Sequence, residues 1–125
     1  MSSSLAPARL AAPLALMALI FYLSAQESVG PELPAWTRVV AHFIEYALLA
    51  ALWSWALAPW LGRRALVVAA AISLLYAITD EDHQSFVPGR DSDPLDVLVD
   101  ALGISTGLLA VRAVLARRAI GSRHA

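Results

Sequence analysis

The chain contains no cysteine and no lysine; all nine of its basic residues are arginine. Without cysteine it has neither the disulfide framework that staples small secreted modules nor a thiolate metal site. Charge is scarce too, at 15% of residues where soluble domains average about 25%. The net charge of −1 removes the electrostatic footprint of a nucleic-acid binder, so no nucleic-acid partner is expected. Also missing are a Gly-rich phosphate loop, a G-x-S-x-G nucleophile elbow and an H-E-x-x-H zinc motif, and the function classes built on them fall away. What is abundant is apolar residues, 59% of 125. A single domain of this size exposes a large share of its surface, so that surplus must face something other than water. The same hydrophobicity excludes a disordered chain.

A membrane-crossing helix needs about 20 mainly apolar residues, and four segments qualify: about Leu10 to Gln26, Thr37 to Leu57, Ala65 to Asp80 and Pro94 to Leu115. Pro31 and Pro34, Pro59 and Gly62, and Pro88, Gly89 and Pro94 punctuate the short connections. The expected fold class is therefore all-α, an integral membrane bundle of four transmembrane helices in one domain spanning residues 1–125. Arg9 gives the first segment the look of a signal peptide, but Leu23 before Ala25 makes a poor cleavage site. With four alternating spans, Arg9, Arg63, Arg64, Arg112, Arg117, Arg118 and Arg123 share one side, and only Arg38 and Arg90 lie opposite. The positive-inside rule then predicts a bacterial inner-membrane protein with both termini cytoplasmic. All ten acids sort to the other, outer half, which insertion alone does not require.

Polar residues inside the spans form the candidate site. His42 and Glu45 stand three apart on the second span, on one face about 7–12 Å below its outer end. Asp96 and Asp100 on the fourth continue through Gly103 and Gly107 as one stripe, which predicts a face turned toward other helices. The third span ends in Asp80-Glu81-Asp82-His83-Gln84, followed by Arg90, whose forked donors suit a carboxylate or a phosphate. The predicted cluster is thus His42, Glu45, Asp80, Glu81, Gln84, Arg90, Asp96 and Asp100. Ionisable groups at this depth point first to function, although a polar network that merely holds four helices together is the competing reading. A divalent metal is one option, with His42, Glu45, Asp80 and Asp96 as candidate ligands; acid/base chemistry without metal is another. Asp80, Asp82, Gln84 and Asp91 do not make a calcium loop, because its sixth position is Ser85 rather than Gly. Gly103-x-x-x-Gly107 predicts close helix contact, within the bundle rather than between chains.

Arg38-x-x-x-His42-x-x-x-Tyr46-x-x-Leu49, the block Asp80-Glu81-x-x-Gln84-x-Phe86-x-Pro88-Gly89-Arg90, and Asp96 followed by Gly103 and Gly107 resemble the VanZ-like membrane proteins. Ser24-Ala25-Gln26 fits the family's S-x-Q, so the resemblance runs from about Tyr22 to Gly107. Two positions depart from the pattern: Asp100 stands where the family usually has Asn, and Ala77 where it commonly has Gly. The resemblance implies a compact helical membrane protein whose namesake is associated with teicoplanin resistance, and it supplies no established reaction.

These observations together predict an outward-facing acidic, His-containing site that acts on or binds a cell-envelope molecule, lipid-linked or part of the wall. As an enzyme, the protein would use Glu45 or Asp80 as general base beside His42, with Arg90 or a metal neutralising an anionic group. The alternatives are a non-catalytic scaffold or partner-binding envelope factor and, less favoured in four short helices, a proton-coupled carrier. Membrane lipids are expected neighbours in every case.

Overall fold

The computed structural model describes residues 6–25, 34–87 and 93–124. A short 3-10 turn, Pro7–Leu10, leads into α1 (Ala11–Ala25), followed by α2 (Ala35–Leu61), α3 (Arg64–Gln84) and α4 (Pro94–His124). No strand occurs among the described residues. Residues 7–25, 36–61 and 94–122 are each long and apolar enough to cross a membrane. In α3, Arg64 at one end and Asp80, Glu81 and Asp82 at the other confine the uncharged stretch to residues 65–79, about 22 Å of helix.

α2, α3 and α4 run longer than their hydropathy predicts. α2 continues through Pro59 to Leu61, and Gly62, at φ 57°, ends it. Proline lacks the N–H that would bond the carbonyl four residues back, which here is that of Trp55. Arg9 takes that place: its Nη1 donates to the Trp55 carbonyl at 3.0 Å, and its guanidinium lies 4.5 Å from the centre of the Trp55 ring. α4 passes Leu115 because arginine and alanine are good helix formers and no proline follows. At its start, Pro94 occupies the first helical turn and Asp93 Oδ1 accepts the Leu95 N–H at 3.0 Å, a regular N-terminal closure.

Cross-helix contacts fix the helix directions. α2 and α4 run parallel, since Arg38 meets Asp96 and His42 meets Asp100, each pair 58 positions apart. α1 and α3 run parallel as well: the Tyr76 hydroxyl donates to the Met17 carbonyl at 2.6 Å and Gln84 Nε2 to Ser24 Oγ at 3.3 Å. Tyr46 pairs with Asp80, and Arg38 with Gln84, so α3 is antiparallel to α2. The chain therefore crosses up, down, up, down, with α2 touching each of the other three helices.

Small residues bring these helices close. The buried face of α3 is Ala65, Ala69, Ser73 and Ala77 before it turns polar at Asp80 and Gln84. Ala77 is fully buried, which keeps the small size its position requires. On α4, a side-chain carbon added at Gly103 or Gly107 would collide with the carbonyl of Phe43 or Ala47 on α2. The glycine pair thus packs inside one chain, as its place on the aspartate stripe predicts. Leu14, Phe21, Val39, Ile44, Leu48, Val67, Leu75 and Leu109 point outward, each about half exposed or more. A polar interior inside an apolar exterior suits lipid as the solvent. Trp36 and Trp60 mark the two ends of α2, about 36 Å apart along the axis, consistent with anchors on either side of a hydrocarbon core about 30 Å thick.

Candidate functional site

Three polar contacts descend one side of α2 at helical spacing. At the top, Arg38 Nη2 donates to Asp96 Oδ2 at 2.6 Å and to Gln84 Oε1 at 3.2 Å, joining α2 to α4 and α3. This pair is the most open part of the site, with side-chain exposures of 32% for Arg38 and 13% for Asp96. One turn deeper, His42 Nδ1 lies 2.9 Å from Asp100 Oδ1, and both side chains are buried. A further turn down, the Tyr46 hydroxyl donates to Asp80 Oδ2 at 3.2 Å. The His42 and Tyr46 rings stack at 6.4 Å between centroids, and Tyr46 leans on Tyr76 at 6.5 Å. Gln84, wholly buried, ties the top of the ladder to Ser24 on α1.

The ladder forms because both stripes have a four-residue period. Arg38, His42 and Tyr46 occupy one face of α2, and Asp96 and Asp100 one face of α4. The parallel direction and the glycine contacts set the two faces in register. With its proton on Nδ1, His42 donates to Asp100, so the carboxylate serves as an acceptor and needs no proton of its own. That accounts for Asp100 at a position where an amide oxygen would serve the same purpose.

Two buried oxygens stay unsatisfied among the described residues. Asp80 is 4% exposed, and its Oδ1 is buried with no hydrogen-bond partner among the described residues. Ser73 Oγ, two turns away on the same face of α3, is buried and unpartnered as well. An unsatisfied acceptor in a buried site costs about 1–3 kcal/mol, more if it is charged, and marks a place that needs a reason.

The predicted residues come together in pairs. His42, Asp80, Gln84, Asp96 and Asp100 belong to the ladder. Glu45 is within electrostatic reach of His42. Glu81 faces a shallow groove of about 300 Å³ between the end of α3 and the start of α4, which Asp82, Ser85 and Pro94 also line. Arg90 lies outside the described residues, as do Gln26, Glu27, Glu32 and Asp91. Arg38 holds Asp96 and Gln84 at the top of the ladder. Arg38, Tyr46 and Ser24 are the site residues that a search for carboxylates overlooks; the signal for the first two is their four-residue spacing around His42.

The metal candidates His42, Glu45, Asp80 and Asp96 do not gather. Among the described residues no three of His, Asp and Glu are placed to hold one ion. Asp96 is taken by Arg38 and His42 by Asp100, while Asp80 hangs from Tyr46 on a different helix pair. The calcium-loop spacing is likewise spent on helix, since Asp80, Asp82 and Gln84 all lie within α3.

A family model described as VanZ/LLP1 matches residues 10–116, which takes in α1, α2, α3, α4 as far as Ala116, and every rung of the ladder. No curated protein and no solved structure matches the chain.

Proposed function

From the premise that the chain belongs to the VanZ/LLP1 family of membrane proteins, we propose that its acidic end is an outward-facing site that binds or acts on a cell-envelope molecule, lipid-linked or part of the wall. The observation that carries this reading is the buried Oδ1 of Asp80, without a hydrogen-bond partner among the described residues, beneath the partly open Arg38–Asp96 pair. A carboxylate oxygen kept dry without a donor is poised to accept one, and hydroxyl, amide and ammonium groups of envelope molecules are such donors. Seven arginines at the opposite end, against Arg38 and Arg90 here, support an orientation with the acidic end outside and both termini cytoplasmic. Membrane-impermeant thiol labelling of intact cells tests the orientation: a Cys at Ser85 should react and one at Ser122 should not, and the reverse pattern would invert the reading.

The second reading, a non-catalytic scaffold, is favoured by the pairing itself, since Arg38 pairs with Asp96 and His42 with Asp100 across α2 and α4. The two are separated in a strain lacking the gene, scored for sensitivity to teicoplanin and to detergent. Under the proposal, loss of the protein sensitises the envelope and Glu45→Gln, expressed at wild-type level, does not restore it. A scaffold would be restored by any variant that folds. An envelope indifferent to the deletion under both challenges would remove the link to glycopeptide resistance.

A further inference from the structure

At the arginine end, from the Gly107 contact onward, an open groove of about 860 Å³ lies between α2 and α4 and reaches the start of α3. Binding sites for small molecules occupy about 300–1,000 Å³, so the groove is roomy on that scale. Alanines keep it open: Ala47, Ala51 and Ala58 on α2 face Ala110 on α4. Its two hydroxyls are already spent on their own helices, Ser54 on the Ala51 carbonyl at 2.8 Å and Thr106 on the Leu102 carbonyl at 2.9 Å. The walls therefore offer hydrocarbon. The rim is different in kind, for Arg9, Arg63 and Arg118 border the groove and no acid does.

Arg9 is already held in place. Its guanidinium is fixed by the Trp55 carbonyl that Pro59 cannot bond and by the Trp55 ring, both uncharged, and its buried Nε has no hydrogen-bond partner among the described residues. Arg63 and Arg118 are exposed and make no ion pair with a described residue. Forked arginine donors match phosphate oxygens, and three cations above a hydrocarbon slot complement an amphiphile with an anionic head. We propose that this groove is a binding site for an anionic phospholipid, one acyl chain lying between α2 and α4 and the phosphate held among Arg9, Arg63 and Arg118.

The test uses the full-length protein, purified in mild detergent with equimolar phosphatidylglycerol and phosphatidylcholine, and native mass spectrometry of the lipids it retains. Each arginine near an anionic headgroup is expected to contribute about fivefold, so the double variant Arg63→Gln/Arg118→Gln should lose roughly 25-fold of the preference for phosphatidylglycerol. Both positions are exposed, and an unchanged melting temperature certifies the fold. Ala110→Phe, which fills the slot, should lower retention of both lipids and leave the headgroup preference intact. Equal retention of the two lipids by the wild type, or a preference that the double variant leaves undiminished, would overturn the proposal. So would displacement of phosphatidylglycerol by inorganic phosphate, which would assign the arginines to free phosphate. A lipid-free dimer broken by Ala110→Phe would give the groove to a second copy of the chain.

Discussion

Arg38 and Asp96 close a 2.6 Å ion pair across two parallel helices, and the same offset of 58 positions brings His42 onto Asp100 one turn deeper. Two pairs sharing one offset mean that α2 and α4 are held in register by polar chemistry as well as by packing. Removing one partner strands the other, whereas replacing both by apolar residues strands neither. Arg38→Met and Asp96→Leu should each lower stability in detergent, and the double variant should lose less than the sum. The expected coupling is about 0.5–2 kcal/mol, the range of interhelical polar contacts in membranes. Additive losses in the double-mutant cycle would show that the two side chains do not depend on each other.

The glycines of α4 hold the backbones close enough for those pairs to form. Gly107→Val places a side chain against the Ala47 carbonyl, and Gly103→Val one against Phe43. Because the obstacle is backbone, each is expected to cost at least the 1–3 kcal/mol typical of overpacking. Gly121, in the same helix with nothing within 4 Å of an added carbon, is the control. Gly121→Ala should be neutral or stabilising by up to about 1 kcal/mol. Thermal unfolding of the three variants checks the contrast, and equal effects at 107 and 121 would contradict the close contact.

Pro59 and Arg9 form a second coupled pair by a different route. Arg9 supplies the donor that proline withholds from the Trp55 carbonyl, so Arg9→Ala should destabilise by about 1.5–3 kcal/mol, as for a hydrogen bond to a charged group. In a Pro59→Ala background the helix bonds that carbonyl itself, and the cost of Arg9→Ala should shrink to its stacking on Trp55, about 0.5–1 kcal/mol. An Arg9→Ala effect that is the same in both backgrounds would mean that the carbonyl contact is incidental.

Much of the architecture was legible because hydropathy and arginine placement report directly on lipid. The stripe Asp96, Asp100, Gly103, Gly107 was readable as an inward face, since carboxylates and bare backbone are both poorly suited to hydrocarbon. The partners of that stripe were not. Arg38 reads in sequence as an outer-side cation at the start of the second span, and its pairing with Asp96 depends on a register that the glycine contacts establish. The buried face of α3 was equally hidden, because Ala65, Ala69 and Ala77 carry no hydropathic contrast with the alanines outside. The sequence places the end of α2 at Leu57, since the donor that lets the helix run through Pro59 is Arg9, 46 residues before the Trp55 carbonyl it bonds.

Under the proposed function the acidic end is a working site in which Asp80 Oδ1 is buried without a hydrogen-bond partner among the described residues. Asp80→Asn measures this most directly, with melting temperature in detergent read beside rescue of a deletion strain under teicoplanin and detergent challenge. Asparagine keeps an oxygen for the Tyr46 hydroxyl and removes a buried charge, so a site residue should show unchanged or raised stability together with lost rescue. A well-expressed Asp80→Asn protein that restores the wild-type envelope would contradict the account.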